Sequence, residues 1–252
     1  MNRKYFLSLI PASLLINPLS SSATKPDDLV PKSLKIPSYL KVGDKIGITC
    51  PAGYITSKEI EPAVIQLKSW GFEVVVGNTV DKRDFTFGGT DQERLQDLQS
   101  MLDDQSIKAI MCGRGGYGAI RIIDQLDFAK FRANPKWLIG FSDITILHSH
   151  INTNCRVATI HSKMCNSFPS NWATAEPIQI ETIDAIQFAL KGEKMKYSAI
   201  YNVNNRMGRA KAELIGGNLR CIENLAGSDS EIETEGKILF LEDTGEYLYS
   251  ID

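Results

Sequence analysis

Short apolar runs alternate with amphipathic segments over residues 45–141, and this alternation is the strongest constraint on the fold. A short apolar run bounded by Gly, Asp or Pro is typical of a buried strand. Two of the intervening segments begin with Thr-x-x-Glu, at Thr56 and Thr90, which is the spacing of a helix capping box. Strands that alternate with helices of this length form parallel βαβ units with right-handed crossovers. The predicted strands are 45–50, 72–76, 107–112 and 137–141, and a third helix is predicted over 119–126.

These elements predict an α/β protein whose first domain, residues 40–165, contains a Rossmann-like or flavodoxin-like parallel sheet. Residues 166–210 are less regular and are interpreted as a linker, with one helix over 180–190. A second, smaller domain is predicted to begin at residue 211, with strands over 212–215 and 237–241.

The first 23 residues have the layout of a secretory signal peptide. A basic start (MNRKY) precedes a short apolar run over 6–19, and small residues at 21–23 offer a cleavage site. A membrane anchor is the alternative, but the run is shorter than the roughly 20 apolar residues that span a bilayer, and it contains Pro11 and Pro18. We therefore expect an exported protein, periplasmic or extracellular, with residues 24–39 as a loose leader into the fold.

The overall charge disfavours a nucleic-acid partner. Twenty-eight Lys and Arg against 30 Asp and Glu leave a net charge of −2, which provides no basic surface for a phosphate backbone. The five cysteines are scattered, and the three histidines lack the spacing of a zinc site. We expect Cys50 and Cys112, which each close an apolar run, to be buried as small hydrophobic residues.

Ser142 is the first candidate for chemistry. It lies in Gly-Phe-Ser-Asp-Ile, between a predicted strand and the helix that follows. A serine in such a sharp turn exposes its hydroxyl as a nucleophile and directs the next backbone N–H, that of Asp143, at a developing oxyanion. The alternative is that Ser142 only caps the following helix. The pattern differs from G-x-S-x-G because Ile144 replaces the second glycine.

A glycine-rich turn, RGGYG at 114–118, is the second candidate. Consecutive backbone N–H groups in such a turn can hold an anion, either a phosphate or a tetrahedral oxyanion. The motif lacks the spacing of both common nucleotide fingerprints, which makes a nucleotide-dependent enzyme an unfavoured alternative. A tight turn with no binding role is the other alternative.

Glu242 is the third candidate, in the acidic segment LEDTGE that follows the predicted strand at 237–241. Clustered carboxylates usually mark a solvated loop or the start of a helix. A carboxylate at a strand end can instead orient a histidine base, as the third member of a catalytic triad does.

Taken together, the motifs resemble the LD-carboxypeptidase family of serine peptidases, which includes the microcin-immunity peptidases. The resemblance runs from about Val42 to Asp252. Its motifs occur in the family's order: GDKIG at 43–47 with PAG at 51–53, FGGTDQER at 87–94, RGGYG at 114–118, IGFSDIT at 139–145, IH at 160–161, LIGGNL at 214–219 and ILFLEDTGE at 238–246.

The resemblance implies that Ser142 is the nucleophile and Glu242 the acid that orients a histidine. It implies an oxyanion hole made by the backbone N–H of Asp143 and that of Gly116. The implied reaction is hydrolysis of an amide between an L-centre and a terminal D-residue, typically D-alanine released from a peptidoglycan tetrapeptide. No metal or organic cofactor is implied. The implied architecture is an α/β N-terminal domain with a smaller β-rich C-terminal domain, and a homodimer is a candidate state.

Two features depart from the family. Its base is a histidine well downstream of the LED glutamate, whereas no histidine follows His161 in these 252 residues. We therefore expect a C-terminally truncated chain, with His161 as a pocket residue, and a muropeptide-binding protein that lacks the triad histidine is the alternative function. The predicted signal peptide is the second departure, because the family's better-known role in recycling muropeptides is cytoplasmic.

Overall fold

Five parallel strands form the central sheet of the computed structural model, which describes residues 33–251. The spatial order is β2-β1-β3-β4-β5, and every neighbouring pair is parallel. This is the flavodoxin-like order, in which ligands bind beyond the carboxyl ends of the strands near the point where the order reverses. The predicted α/β class is confirmed. The strands are β1 (Lys45–Thr49), β2 (Glu73–Val76), β3 (Ile107–Cys112), β4 (Trp137–Gly140) and β5 (Ile160–His161).

Helices cover both faces of this sheet. The two predicted capping boxes are present, since Thr56 and Thr90 each exchange hydrogen bonds with the glutamate three residues later. The helices of this unit are α1 (Ser57–Ser69), α2 (Asp91–Asp103), α3 (Ala129–Ala133), α4 (Thr145–His150) and α5 (Pro177–Lys191).

The sheet separates two hydrophobic clusters because successive strand residues point to opposite faces. Along β3, Ile110 and Cys112 pack with α2 and α4, while Ala109 and Met111 pack with α1 and α5. Cys50 is also completely buried, in the second cluster. The prediction that Cys50 and Cys112 are buried hydrophobic residues is thus confirmed.

The predicted helix over 119–126 is wrong. The segment forms two successive 3₁₀ turns, Ala119–Arg121 and Ile123–Gln125, with hydrogen bonds from Ile122 to Ala119 and from Leu126 to Ile123. Ala119, Ile122, Ile123 and Leu126 all enter the core. Their spacing (i, i+3, i+4, i+7) is also that of an amphipathic α-helix, so the sequence pattern does not distinguish the two conformations.

A separate two-stranded sheet lies in the last part of the chain. Its strands, β6 (Leu214–Asn218) and β7 (Ile238–Glu242), are parallel and pair Asn218 with Glu242. The first strand begins two residues later than predicted and continues through the glycines to Asn218. Two short helices follow the strands, α6 (Leu219–Asn224) after β6 and α7 (Leu248–Ile251) after β7.

Helix α5 begins earlier than predicted and buries Ile183, Ile186 and Leu190 against the central sheet. Residues 193–212 form no helix or strand. The described end of the leader is not loose, because Lys35 forms a bridge with Val157. The predicted signal peptide and residues 24–32 lie outside the described residues. Within residues 33–251, no helix has the length and apolarity needed to cross a membrane.

Candidate active site

Ser142 lies two residues after the last residue of β4, Gly140, at the carboxyl end of a buried parallel strand. Its φ of 59° is in the left-handed region, which a non-glycine residue occupies only when the surrounding structure imposes it. Two residues earlier, a Cβ on Gly140 would lie 2.8 Å from Ile144 Cγ2, so the turn leaves no room for a side chain there. The backbone therefore forms the sharp strand-to-helix turn that the sequence predicted, a geometry typical of an exposed nucleophile.

The glycine turn at 114–118 lies against this serine. A Cβ placed on Gly115 would be 3.3 Å from Ser142 Oγ, and Gly116 adopts a φ of 108°. Gly53, from the loop after β1, donates its N–H to the Gly115 carbonyl at 2.8 Å. The loops after β1, β3 and β4 thus meet at one edge of the sheet, and the predicted oxyanion-hole residue Gly116 is next to the glycine that contacts Ser142.

The Asp143 side chain fastens the Ser142 turn to the glycine turn. Its Oδ2 accepts the backbone N–H of Ala119 at 2.8 Å, and the side chain is buried. Burial raises the pKa of Asp143 to about 6, although the Ala119 N–H and the nearby Arg94 oppose this shift. The sequence assigned Asp143 a backbone role only, so this side-chain contact was not predicted.

Arg94, which the sequence indicated only as the last residue of the FGGTDQER motif, also holds the loops of the site together. Its side chain is completely buried, and Nη1 donates to the carbonyls of Pro51 and Gly118. It is also paired with Asp91, which binds the exposed Arg121 as well. Arg94 therefore joins the loop after β1 to the glycine turn after β3.

Glu242 ends β7, and His161 is beside it. The distance from His161 Nε2 to Glu242 Oε1 is 3.9 Å, and both side chains are about a quarter exposed. Burial raises the pKa of Glu242, with Asp243 adding to the effect, and the Asn218 amide and Lys163 oppose it. Glu242 Oε1 and His161 Nδ1 are buried and bond to no group within residues 33–251.

Contacts between β6 and the Ser142 turn place Glu242 on the same side of the molecule as Ser142. The N–H of Asn218, the β6 partner of Glu242, donates to Thr145 Oγ1 at 3.0 Å. The Cys221 thiol donates to the Ser142 carbonyl at 3.7 Å. The strand that ends at Glu242 and the turn that carries Ser142 are therefore joined by contacts of β6 and α6, although the two residues are 100 positions apart in the sequence.

The other two histidines are held in structural contacts. His148 is buried on α4 and bonds through Nε2 to the Gly140 carbonyl at 2.9 Å. His150 bonds through Nδ1 to Ser230 Oγ at 2.9 Å and packs on Phe128. Only the imidazole of His161 thus lies against the predicted acid, among the three histidines of the sequence.

His148 gives a pH-dependent contribution to stability. Burial lowers its pKa from 6.5 to about 4, so the unfolded chain binds a proton more readily than the folded chain between those values. The free energy of unfolding is therefore unaffected by His148 above pH 6.5 and falls as the pH drops towards 4. At 1.36 kcal/mol per pKa unit, the decrease is about 3 kcal/mol. Asp143, with its raised pKa, contributes with the opposite sign.

We therefore expect the stability difference between the wild type and His148→Gln to change by about 3 kcal/mol between pH 7 and 4, in favour of the variant at low pH. Glutamine keeps an N–H donor for Gly140 and has no charge to bury, and the Asp143 contribution cancels between the two proteins. Urea denaturation at several pH values measures the difference. A constant difference would show that His148 is not held neutral.

Within the described part of the chain, no group of three or more His, Cys, Asp or Glu side chains could hold a metal ion.

Comparison with known proteins identifies the family to which the chain is similar. Residues 46–162 match the LD-carboxypeptidase N-terminal domain, and residues 211–252 match the LD-carboxypeptidase C-terminal domain. A probable murein peptide carboxypeptidase of Bacillus subtilis is 34% identical over 223 residues, which cover 86% of this chain and 67% of that protein. The murein tetrapeptide carboxypeptidase of Pseudomonas aeruginosa is 28% identical over 85% of this chain and 71% of its own length.

A solved structure has the same architecture. The crystal structure of an MccF-like protein from Bacillus anthracis superposes with a TM-score of 0.71 at 26% identity, over 83% of this chain and 70% of that one. The parallel sheet, the order of the motifs and both domain matches all indicate the same family. The chain belongs to the LD-carboxypeptidase family of peptidases.

Proposed function

We propose that this protein is a serine carboxypeptidase that removes the terminal D-alanine from a murein tetrapeptide. The observation that carries the proposal is the left-handed backbone of Ser142, set against the Gly115–Gly116 turn at the end of a parallel strand. The names of the B. subtilis and P. aeruginosa relatives support murein peptides as the substrate class.

In this mechanism Ser142 Oγ attacks the carbonyl carbon of the scissile amide and gives its proton to a base. The backbone N–H groups of Asp143 and Gly116 stabilise the oxyanion of the tetrahedral intermediate. The C–N bond then breaks as the base returns the proton to the leaving amine, which releases the D-amino acid and leaves an ester on Ser142. Water hydrolyses the ester by the same sequence of proton transfers.

We propose His161 as the base, with Glu242 as the acid that orients it. Glu242 Oε1 lies 3.9 Å from Nε2 of the imidazole. The other nitrogen, Nδ1, is buried and bonds to no group within residues 33–251, so in this mechanism the ring turns before Nδ1 accepts the proton of Ser142. Burial lowers the pKa of His161 below its ordinary 6.5, so the neutral, proton-accepting form predominates at pH 7. Substrate that excludes water and contacts the pair can shorten the separation between the two side chains.

A second candidate function is binding of muropeptides without turnover. The observation that favours it is the same distance of 3.9 Å, which is longer than a hydrogen bond and leaves the imidazole unoriented. The peptide would then bind at the Ser142 turn without a group that takes the proton of the hydroxyl.

Release of alanine from a murein tetrapeptide distinguishes the two functions. We expect free D-alanine from the natural peptide and none from the diastereomer that ends in L-alanine. His161→Asn should lower kcat by about 10²- to 10⁴-fold with KM nearly unchanged, as for loss of a general base. Binding by calorimetry without release would support the second function, and the absence of both binding and release would contradict both.

A further inference from the structure

An exposed lysine lies beside the proposed catalytic residues and has no salt-bridge partner within residues 33–251. Lys163 Nζ is 4.8 Å from the centroid of the Phe141 ring. Phe141 directly precedes Ser142, so the ammonium group lies against a side chain of the turn that carries the nucleophile. An ammonium group on an aromatic face is held in position, yet its three N–H donors stay available to a ligand.

The Phe141 ring also connects Lys163 to His161. The His161 ring packs edge-on against Phe141, with the two centroids 6.3 Å apart. The N–H of Ser162 donates to the Gly140 carbonyl at 2.9 Å, so the pairing of the chain with β4 continues past the end of β5. Side chains two residues apart along an extended chain lie on the same face. The cation is therefore a neighbour of the proposed base.

The charges around Lys163 show why a cation matters at this position. Glu242 and Asp243 bring negative charge to the end of β7, and an anion that approaches them is repelled unless a cation offsets this charge. Lys163 is close enough to Glu242 to lower the pKa of its carboxyl, against the effects of burial and of Asp243. Arg220, which also lies near Asp243, is already paired with two glutamates. Lys163 therefore carries the uncommitted positive charge beside Glu242.

The proposed reaction places an anion near this lysine. The last residue of a carboxypeptidase substrate has a free carboxylate whose carbon is two bonds from the leaving nitrogen. The proposed base, His161, returns a proton to that nitrogen, so the carboxylate of a bound peptide lies near the imidazole. An internal peptide bond would place a neutral amide at the same position. A cation beside His161 can therefore distinguish a terminal residue from an internal one.

We infer that Lys163 binds the terminal carboxylate of the peptide substrate and so restricts cleavage to the last residue. The contact is a charge-assisted hydrogen bond from Nζ, with Phe141 holding the ammonium group in place. The inference rests on the proposed peptidase function and adds a specificity-determining residue to it. Arg114 is the rival cation, because it is exposed and adjoins Gly115, which lies against Ser142.

Two tetrapeptides that differ only at the terminus test the inference, one ending in D-alanine and the other in D-alaninamide. Both contain the same scissile bond, and only the first has the carboxylate. The wild type should prefer the acid by about five- to thirtyfold in kcat/KM, between the effect of an exposed ion pair and that of a hydrogen bond to a charged group. Lys163→Met should lose this preference through a higher KM for the acid, with kcat nearly unchanged. Lys163→Arg keeps the charge and should keep most of the preference.

Lys68→Met is the matched control, since Lys68 is an exposed lysine in the last turn of α1, and it should keep the wild-type preference. A lysine with only a structural role would affect the acid and the amide equally. Calorimetry with the two peptides makes the same comparison without turnover. A wild type that binds the acid better but releases no D-alanine would contradict the proposed peptidase function and still support the carboxylate contact.

Three results would overturn the inference. The first is equal treatment of the acid and the amide by the wild type, in turnover and in binding, including binding of neither. The second is a preference that persists in Lys163→Met. The third is a preference that is lost in Arg114→Met and kept in Lys163→Met, which would assign the carboxylate to the glycine turn.

Discussion

Turnover of the murein tetrapeptide should fall by about 10⁴-fold or more when Ser142 is replaced by alanine, because the hydroxyl forms the covalent bond to the substrate and no neighbouring group replaces it. Substrate affinity should stay close to that of the wild type, since the oxyanion donors belong to the backbone. Single-turnover assays of D-alanine release measure the loss, and calorimetry with the intact tetrapeptide measures the affinity.

Two further substitutions make this result specific. Ser149→Ala removes a buried serine seven residues along the chain and should keep most of the turnover. Ser142→Gly also removes the hydroxyl, but glycine adopts a φ of 59° without cost, so this variant should be about 0.5–1 kcal/mol more stable than Ser142→Ala. Residual turnover near the wild-type level in either Ser142 variant would assign the nucleophile elsewhere.

The strained serine and the glycine turn could be predicted from sequence because both are local features. Gly140 and Ser142 lie within one turn, and the order of strand, turn and helix around them follows from apolar runs. The meeting of the two turns at one edge follows from parallel strands, whose carboxyl ends share an edge. The flavodoxin-like sheet was predictable for the same reason.

The contacts that hold the site together could not be predicted. The Asp143 carboxylate meets the Ala119 N–H across 24 positions of sequence, and Arg94 reaches Pro51 across 43. Nothing in the local pattern of either residue distinguishes a buried partner from a solvated side chain. The position of His161 beside Glu242 depends on how β7 packs near β5, which periodicity does not specify. The 3₁₀ turns after Gly118 were missed because three-residue and 3.6-residue spacing differ little over eight residues.

Replacement of Arg94 should affect both stability and turnover. Arg94→Met keeps much of the buried volume but leaves the Pro51 carbonyl without its donor. It also removes one of the two donors of the Gly118 carbonyl, which keeps the Arg121 N–H, and one of the two partners of Asp91. Because Asp91 is partly exposed and keeps Arg121, no buried charge is left unpaired, and the cost comes mainly from the buried Pro51 carbonyl that loses its donor, about 1–3 kcal/mol. We expect the free energy of unfolding to fall by that amount, as measured by urea denaturation.

Arg121→Met is the matched control, because Arg121 binds the same Asp91 from an exposed position. An exposed ion pair contributes about 0–1 kcal/mol, so this variant should unfold nearly like the wild type.

Turnover should fall strongly in Arg94→Met and stay near the wild-type level in Arg121→Met. Arg94 fixes the Gly118 end of the turn that lies against Ser142, and small misplacements of such a turn reduce catalysis by orders of magnitude. Equal losses of stability in the two variants would show that Asp91, and not the pair of backbone carbonyls, accounts for the contribution of Arg94. A stable Arg94→Met protein that loses turnover would instead show that Arg94 acts mainly by positioning the glycine turn.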